Sequence, residues 1–276
     1  MNCKNKEGLI KQGLYLLLNT RGVNIYHTLR LWKAVLKDII DHIFGKVTSI
    51  SLSLSGSEPI HIIHNDGVQR ILCVMRPRSD DASCLLLNEL YELAQWFYPS
   101  INNESIVVDV GAHVGGYTIR ACKKVKQVIS IEPYGASAEI LKQNIKLNSC
   151  NNVYILQKAI SDRKGYGRLK IYPGQEAMST LNEDGNIIVE TDTLDNIIQD
   201  LGINRIDFLK IDIEGSEAVA IRGMKYTLKI TKNIMIEVRP ETEYVIKEIE
   251  KNSFKVVDCV DHGNIKNVFL RSIRSI

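Results

Sequence analysis

The segment VVDVGAHVGGYT, residues 107–118, places one acid and three glycines at the end of a short apolar run. Asp109 follows two valines, and Gly111, Gly115 and Gly116 follow Asp109. Glycines at such positions let the backbone turn tightly and let a ligand approach it closely. Because an apolar strand followed by a glycine-rich turn and a helix is a common nucleotide-binding arrangement, we predict that this turn binds a nucleotide-like cofactor.

The spacing within this turn distinguishes between cofactors. A dinucleotide fold uses G-x-G-x-x-G to seat a pyrophosphate on a helix N-terminus, but His113 occupies the position of the middle glycine. Asp109 would repel a pyrophosphate, whereas it suits a phosphate-free ligand with a cationic end, such as S-adenosylmethionine. Glu132, 21 positions after Gly111, can accept hydrogen bonds from ribose hydroxyls in either cofactor. The missing glycine and Asp109 therefore favour S-adenosylmethionine over NAD.

The third predicted strand leads into a segment where the adenine ring would lie. Ile160 offers apolar packing there, and Asp162 is either an acceptor for the adenine amino group or a turn residue before Arg163. The predicted cofactor site consists of Asp109, Gly111, Ala112, His113, Gly115, Glu132, Pro133, Ile160, Ser161, Asp162 and Asp212.

Acidic residues are concentrated in the segment FLKIDIEGSE. Lys210, Asp212 and Glu214 alternate and would share one face of a strand, Glu217 would begin the next helix, and Glu237 would end the next strand. Such groups are costly unless they are paired or functional. They could form a salt-bridge network with helix caps, a wall facing the substrate, or a site for magnesium or calcium. Since Lys210 can neutralise the acids, we predict no metal.

The composition excludes several other classes of protein. With 276 residues, 45% hydrophobic and 24% charged, the chain is typical of a globular protein, and a net charge of +3 is too small to indicate a nucleic-acid partner. The six cysteines form no CxxC pair, so we expect reduced thiols. No apolar run approaches the roughly 18 residues that span a bilayer, and no secretory leader is recognisable. We therefore predict a cytoplasmic protein.

The elements that must position these residues begin near residue 104, where apolar strands alternate with helical segments. This pattern predicts an α/β domain with a mostly parallel sheet covered on both faces. The predicted strands are Ile106–Val110, Val128–Ile131, Val153–Leu156, Phe208–Ile213 and Ile234–Val238. The segments FKVVDCV and NVFLRSI predict a C-terminal antiparallel hairpin. We assign this domain to residues 79–276.

Residues 1–78 are predicted to form a separate extension, with a helix followed by a small β element from about residue 46. Trp32, Val35, Leu36, Ile39 and Ile43 have helical spacing and would form one apolar stripe. The stripe would pack on the main domain or, alternatively, contact a membrane surface or a partner.

With these residues assembled, the chain resembles the FkbM family of S-adenosylmethionine-dependent methyltransferases. The likeness covers about residues 75–240 and rests on VVDVGAHVGGYT, VISIEPYGASAEILKQNIKLN, AISDRKG, STL, TDTLDNII, DFLKIDIEGSEAVAIRGM and IMIEVRP. It implies a Rossmann-like, seven-stranded class I methyltransferase fold with a C-terminal antiparallel strand. It also implies methyl transfer to oxygen, commonly a hydroxyl of a sugar, glycan or secondary metabolite.

The resemblance implies roles for single residues as well. Asp109, Gly111 and Glu132 would hold the cofactor, and Asp212, Glu214 and Glu217 would border the reaction site. His113 departs from the family, which often has Asn at this position.

A hydroxyl acceptor has to lose a proton, so we expect a nearby base. Glu214 and His113 are the candidates, with Asp212 as a third catalytic residue, and Glu214, Glu217, Glu237 and Tyr117 would contact the substrate, a small molecule or glycan. Part of the acceptor pocket is expected from residues 171–186. An NAD-dependent oxidoreductase and a non-catalytic binding module on a degenerate methyltransferase fold are the alternatives.

Overall fold

The computed structural model of the chain describes residues 4–5, 9–44, 53–54, 56–87 and 90–274. In chain order the strands are β1 (Lys4–Asn5), β2 (Thr20–Gly22), β3 (Ile60–Asn65), β4 (Arg70–Met75), β5 (Ile106–Val110), β6 (Gln127–Ile131), β7 (Val153–Leu156), β8 (Ala159–Ile160), β9 (Gly165–Lys170), β10 (Thr180–Leu181), β11 (Ile187–Asp192), β12 (Ile206–Ile211), β13 (Thr231–Val238), β14 (Phe254–Asp261) and β15 (Lys266–Ser272). The helices are α1 (Leu9–Asn19), α2 (Ile25–Ile43), α3 (Leu90–Glu92), α4 (Thr118–Ala121), α5 (Gly135–Leu147), α6 (Leu194–Asp200), α7 (Glu217–Ala220), α8 (Lys225–Ile230) and α9 (Val245–Glu250).

The central sheet has eight strands in the order β1-β14-β15-β13-β12-β5-β6-β7. The pairs from β13 through β7 are parallel, and β15 runs antiparallel to both β13 and β14. Apart from the two-residue β1, this is the predicted seven-stranded class I methyltransferase fold with its terminal hairpin, which is thereby confirmed. The strand order reverses beside β5, and ligands bind at such switch points in doubly wound sheets.

The two faces of the sheet carry separate apolar cores, as expected for a sheet covered on both sides. Every residue of β12 is buried. Leu209 packs with α6 and α8 on one face. On the other face its neighbour Phe208 meets Phe97 edge to face and stacks with Phe269. Because successive side chains of a strand point to opposite faces, the apolar run of β12 holds both layers together.

The N-terminal region forms a three-stranded antiparallel sheet, β2-β3-β4, that packs on α5. The side-chain amide of Asn144 bonds the backbone of Val74, and the amide of Asn148 accepts a hydrogen bond from Leu72 N (3.1 Å) and donates one to Leu72 O (2.7 Å). The β element predicted from residue 46 is present as β3 and β4, and residues 46–52 lie outside the described residues. The domain boundary at residue 78 stays a prediction.

The predicted packing stripe of α2 is wrong for most of its residues. Val35 is buried and Ile39 is half-buried, but Trp32, Leu36 and Ile43 are exposed. The buried face is rotated by one position and includes Leu31, Ala34 and Val35. Since apolar residues occur on both sides of this helix, their spacing alone could not identify the side that packs.

The expectation of reduced thiols is also corrected. Cys122 and Cys150 form a disulfide, with Cα atoms 5.7 Å apart, whereas Cys73 and Cys84 are free. Cys122 directly follows α4 and Cys150 lies just after α5, so the packing of these two helices joins cysteines 28 positions apart.

A second, smaller sheet, β10-β9-β11-β8, is inserted between β7 and α6. It begins where the chain leaves the central sheet, and β8 pairs parallel with β11. Among the helices in the described ranges, none combines the length and hydropathy needed to cross a bilayer.

Candidate active site

A cavity of about 590 Å³ opens at the carboxyl ends of β5, β6, β12 and β13. The ends of these strands and the turns after them contribute Asp109–His113, Ile131–Pro133, Lys210, Asp212–Glu214, Ser216, Glu237 and Arg239. Connecting segments and the small sheet contribute Asp80, Ser83, Cys84, Gly116, Tyr117, Lys158–Ile160, Leu169, Gly174–Ser179, Leu181, His262, Asn264 and Ile265. The cavity lies at the switch point of the sheet.

The glycine turn after β5 has a shape that only glycine accommodates at two positions. Gly111 has φ +80° and Gly115 has φ +97°, both in the left-handed region. A Cβ on Gly111 would overlap the carbonyl oxygen of Asp212, and one on Gly115 would come within 2.6 Å of Leu141. Gly111 therefore allows the turn to lie directly against the acidic loop that follows β12, whereas Gly115 faces α5 and does not line the cavity.

Asp109 is buried at the end of β5. Its Oδ2 accepts a hydrogen bond from Thr118 Oγ1 (2.7 Å), and its Oδ1 has no hydrogen-bond partner among the described residues. The nearest cation, Lys210 Nζ, lies 3.9 Å from Oδ1. Burial raises the pKa of Asp109, and Lys210 opposes this rise. The unsatisfied oxygen is a place where a polar or cationic ligand would gain a full hydrogen bond.

Glu132 follows β6 and is held by the backbone. Its Oε2 accepts from His113 N (2.9 Å) and its Oε1 accepts from Tyr134 N (2.8 Å). Burial raises its pKa to about 7. Because each carboxylate oxygen can accept two hydrogen bonds, both oxygens keep capacity for ligand hydroxyls.

His113 has φ +48° although it is not glycine, so the turn keeps it in an uncommon conformation. Its Nε2 lies 3.6 Å from Asp80 Oδ1, and Asp80 Oδ2 accepts from the backbone of Ala177 (2.7 Å). Ligand atoms of Asp80, Cys84 and His113 lie within 4.8 Å of one another. Burial lowers the pKa of His113 to about 4, so the imidazole is neutral at pH 7.

The acidic loop after β12 faces the cavity from the other side of the glycine turn. The strand ends at Ile211, so Asp212 and Glu214 lie on this loop and not on the strand as predicted, with Glu214 at φ +56°. Lys210 binds Asp212 (2.9 Å), and Arg239 forms an ion pair with Glu214. Burial, followed by the charge of Asp212, raises the pKa of Glu214 to about 7.

Glu237, at the end of β13, completes this acidic wall. One oxygen each of Asp212, Glu214 and Glu237 lies within 4.8 Å of the others, a spacing at which a divalent cation could bind. Two of these three carboxylates are already engaged by Lys210 and Arg239.

Most residues of the predicted site come together around this cavity. They are Asp109, Gly111, Ala112, His113, Tyr117, Glu132, Pro133, Ile160, Asp212, Glu214 and Glu237. Their individual roles stay predictions.

Four predicted site residues, Gly115, Ser161, Asp162 and Glu217, lie outside the lining of the cavity, which corrects their predicted position in the site. The backbone N–H of Ser161 donates to Asp192 O (2.9 Å), and Asp162 forms an ion pair with Arg222 (3.2 Å). Glu217 Oε1 accepts from the backbone of Ile213 (3.3 Å) and Gly215 (3.0 Å). Its carboxylate therefore shapes the acidic loop from behind, because orphan N–H groups near a helix start need acceptors.

Sequence reasoning missed several lining residues. Arg239 lies two positions after Glu237, and its ion pair with Glu214 could have been suspected from the segment EVRP at a strand end. Asp80, Gln175 and His262 are carried by connecting segments. No regular spacing in the sequence marks such residues, so they had no signal.

The sheet order, the antiparallel β15 and the glycine turn at the switch point define a Rossmann-like class I methyltransferase fold. A sequence model described as the methyltransferase FkbM domain matches residues 109–266, which is more than half of the chain. The chain belongs to the FkbM methyltransferase family.

Individual relatives are distant. Methyltransferase sdnD of Sordaria araneosa is 23% identical over 192 residues, covering 54% of this chain and 74% of the relative. The 2-O-methyltransferase NoeI of Sinorhizobium fredii is 26% identical over 164 residues, covering 51% of this chain and 66% of the relative. A crystal structure of a methyltransferase FkbM from Methylobacillus flagellatus aligns with 95% of this chain and 58% of its own, at 15% identity and a TM-score of 0.49.

Proposed function

We propose that this methyltransferase uses S-adenosylmethionine to methylate a hydroxyl oxygen of a sugar, glycan or secondary metabolite. The observation that carries the proposal is the pair of buried carboxylates beside the glycine turn. Asp109 presents an oxygen that accepts no hydrogen bond from the described residues, and Glu132 keeps acceptor capacity on both oxygens. When bound, S-adenosylmethionine supplies a methyl group on a positively charged sulfur.

The residues around the turn fit such a cofactor. Asp109 offers its free oxygen to the cationic end, Glu132 accepts hydrogen bonds from the ribose, and the backbone of Gly111–His113 can lie against the ligand. Ile160, which is buried in β8 and lines the cavity, gives an apolar surface for the adenine.

The same site is poorly suited to NAD. Its diphosphate would meet the carboxylate of Asp109, and His113 is neutral at pH 7 and supplies no positive charge. The helix after the turn, α4, has only four residues and offers a weak dipole for phosphate. An oxidoreductase is therefore disfavoured on electrostatic grounds.

The other part of the cavity suits an acceptor rich in hydroxyl groups. Glu237, Arg239, His262 and Asn264 line it and provide both donors and acceptors. The 2-O-methyltransferase NoeI among the relatives supports transfer to oxygen.

Glu214 is our candidate for the general base. A carboxylate with a pKa of about 7 is half ionised at neutral pH and can take a proton from a hydroxyl. His113 is a weaker base because its pKa lies near 4, whereas Asp212 and Glu214 are each ion-paired, with Lys210 and Arg239 respectively. The remaining task of the cavity is to hold the acceptor oxygen in line and to exclude water, which accounts for much of the catalysis in such displacements.

Cofactor binding can be tested by thermal denaturation with S-adenosylmethionine or with NAD, because a ligand at about 100 times its Kd stabilises the folded state by about 2.7 kcal/mol. We expect stabilisation by S-adenosylmethionine only, lost in D109A and kept in the control D162A, whose residue lies outside the cavity. Stabilisation by NAD alone would overturn the proposal, and no response to either cofactor would favour a binding module.

The acceptor can be sought by treating cell extract with the protein and an isotopically labelled methyl donor, followed by mass spectrometry. We expect a labelled O-methyl group on a hydroxylated compound, absent when D109A replaces the wild type. Label on nitrogen or carbon would contradict the oxygen assignment but not the use of the cofactor.

A further inference from the structure

Helix α2 exposes a continuous apolar face. Its members, which we name the α2 apolar face, are 41–77% exposed: Ile25, Leu29, Trp32, Leu36, Ile40 and Ile43 at helical spacing, together with Phe44 directly after the helix. The opposite side of the helix is packed on the protein through Leu31, Ala34 and Val35. Single exposed apolar residues are ordinary, but a contiguous row of this length marks an interaction surface.

The charges of α2 are distributed unevenly. Asp38 and Asp41 are turned inward and only 9% exposed. Lys33 and Lys37 are exposed beside the apolar face, Lys37 forms an ion pair with Asp41, and Arg21 is exposed in the neighbouring β2. The acids of the helix are thus hidden, while its exposed charges are cationic.

We propose that the α2 apolar face docks on a membrane surface that contains anionic lipids, with the helix axis parallel to the membrane. An amphipathic helix with Trp and Leu on its apolar side and Lys beside them is typical of binding at the boundary between headgroups and acyl chains. Tyr26 and Trp32, both more than 40% exposed, have the amphipathic rings that accumulate there. This inference is independent of the proposed methyl transfer.

A second copy of the chain fits this face less well. Two-fold packing through α2 would place the same surface on both partners and bring Lys33 and Lys37 of each copy near those of the other. Such like charges repel across a closed interface, whereas anionic headgroups attract them. Charge complementarity therefore favours the lipid surface.

Flotation of the full chain with lipid vesicles tests the proposal directly. We expect the wild type to float with phosphatidylcholine vesicles containing about 30% phosphatidylglycerol, and to float less in high salt or with pure phosphatidylcholine. The double variant L36E/I40E should bind at least about tenfold more weakly, because two carboxylates would enter the apolar boundary. The matched control I188E/V257E adds the same charge at exposed apolar sites on β11 and β14 and should bind as the wild type does.

Two further measurements do not depend on the stability of L36E/I40E. The chain has two tryptophans, of which Trp96 is 2% exposed, so a vesicle-induced blue shift of the emission should come from Trp32 and be absent in W32F. The variant K33Q, which leaves the Lys37–Asp41 ion pair in place, should lose about fivefold in binding.

Two outcomes would overturn the proposal. The first is that L36E/I40E binds vesicles as tightly as the wild type does. The second is a dimer in sedimentation analysis that L36E/I40E converts to monomer while neither protein floats with vesicles, which would identify a second copy as the occupant of the α2 apolar face.

Discussion

Replacing Glu132 by glutamine is expected to stabilise the cofactor-free protein at alkaline pH while weakening its binding of S-adenosylmethionine. Glu132 is buried, and among the described residues its hydrogen bonds come from two backbone N–H groups, of His113 and Tyr134. An ionised carboxylate in this position costs the folded state free energy that a neutral amide does not cost.

The size of the expected stability difference follows from the pKa of Glu132, which burial raises from 4.5 to about 7. This shift corresponds to about 3 kcal/mol of stability lost above pH 7. Glutamine can accept a hydrogen bond from only one of the two N–H groups, and the unpaired one costs about 1–2 kcal/mol. E132Q should therefore be more stable than the wild type by about 1–2 kcal/mol above pH 8, and less stable near pH 5.

The sign of the pH dependence is determined by the raised pKa. Between pH 4.5 and about 7 the folded wild type binds more protons at Glu132 than the unfolded chain does, so its free energy of unfolding falls as the pH rises. E132Q lacks this titration. Urea denaturation of both proteins without cofactor, from pH 5 to pH 9, should measure this effect. The free energy of unfolding of E132Q relative to that of the wild type should rise across this range.

The reasoning would be refuted by a difference in unfolding free energy that stays constant from pH 5 to pH 9, or by a wild type that is the more stable protein above pH 8. A second measurement compares how much S-adenosylmethionine stabilises the two proteins. Added S-adenosylmethionine should raise the stability of the wild type and leave E132Q nearly unchanged, since the amide nitrogen cannot accept a ribose hydroxyl.

The other predictions concern the turn, the disulfide and the base. G111A should lose more than about 3 kcal/mol in urea denaturation because its Cβ overlaps Asp212, whereas G202A, with φ +66° and open space, should lose about 1 kcal/mol from strain alone; equal losses would contradict the overlap. C122S should lose about 3 kcal/mol, and reductant should destabilise the wild type more than it destabilises C122S; an equal effect of reductant on both proteins would contradict the role of the Cys122–Cys150 bond. E214Q should lower kcat at pH 8 by about 100-fold and remove the rise of kcat/KM with pH near 7, while an unchanged profile would exclude Glu214 as the base.

The central sheet could be predicted closely from the sequence. The bounds of β5 and β7 agree with prediction, because buried parallel strands consist of short apolar runs separated by helices. The glycine turn could be located for a similar reason, since Gly111 and Asp109 stand directly after such a run.

Side-chain direction in loops could not be predicted. Spacing alone suggested that Glu217 and Asp162 face a ligand, but one satisfies backbone N–H groups and the other pairs with Arg222. The disulfide was hidden because its pairing depends on how α4 and α5 pack. The small sheet contains the two-residue strands β8 and β10, which are too short to show a period.

The cavity is built from two sheets, and this division has a consequence for how such a protein can diversify. Asp109 lies in the central sheet and Glu132 directly follows β6, while Leu169, Met178 and Leu181 belong to the insert that carries the small sheet. Mutations within residues 161–190 can therefore reshape one wall and leave the other intact. Natural selection could therefore change which molecule enters the cavity while the wall that contains Asp109 and Glu132 stays the same.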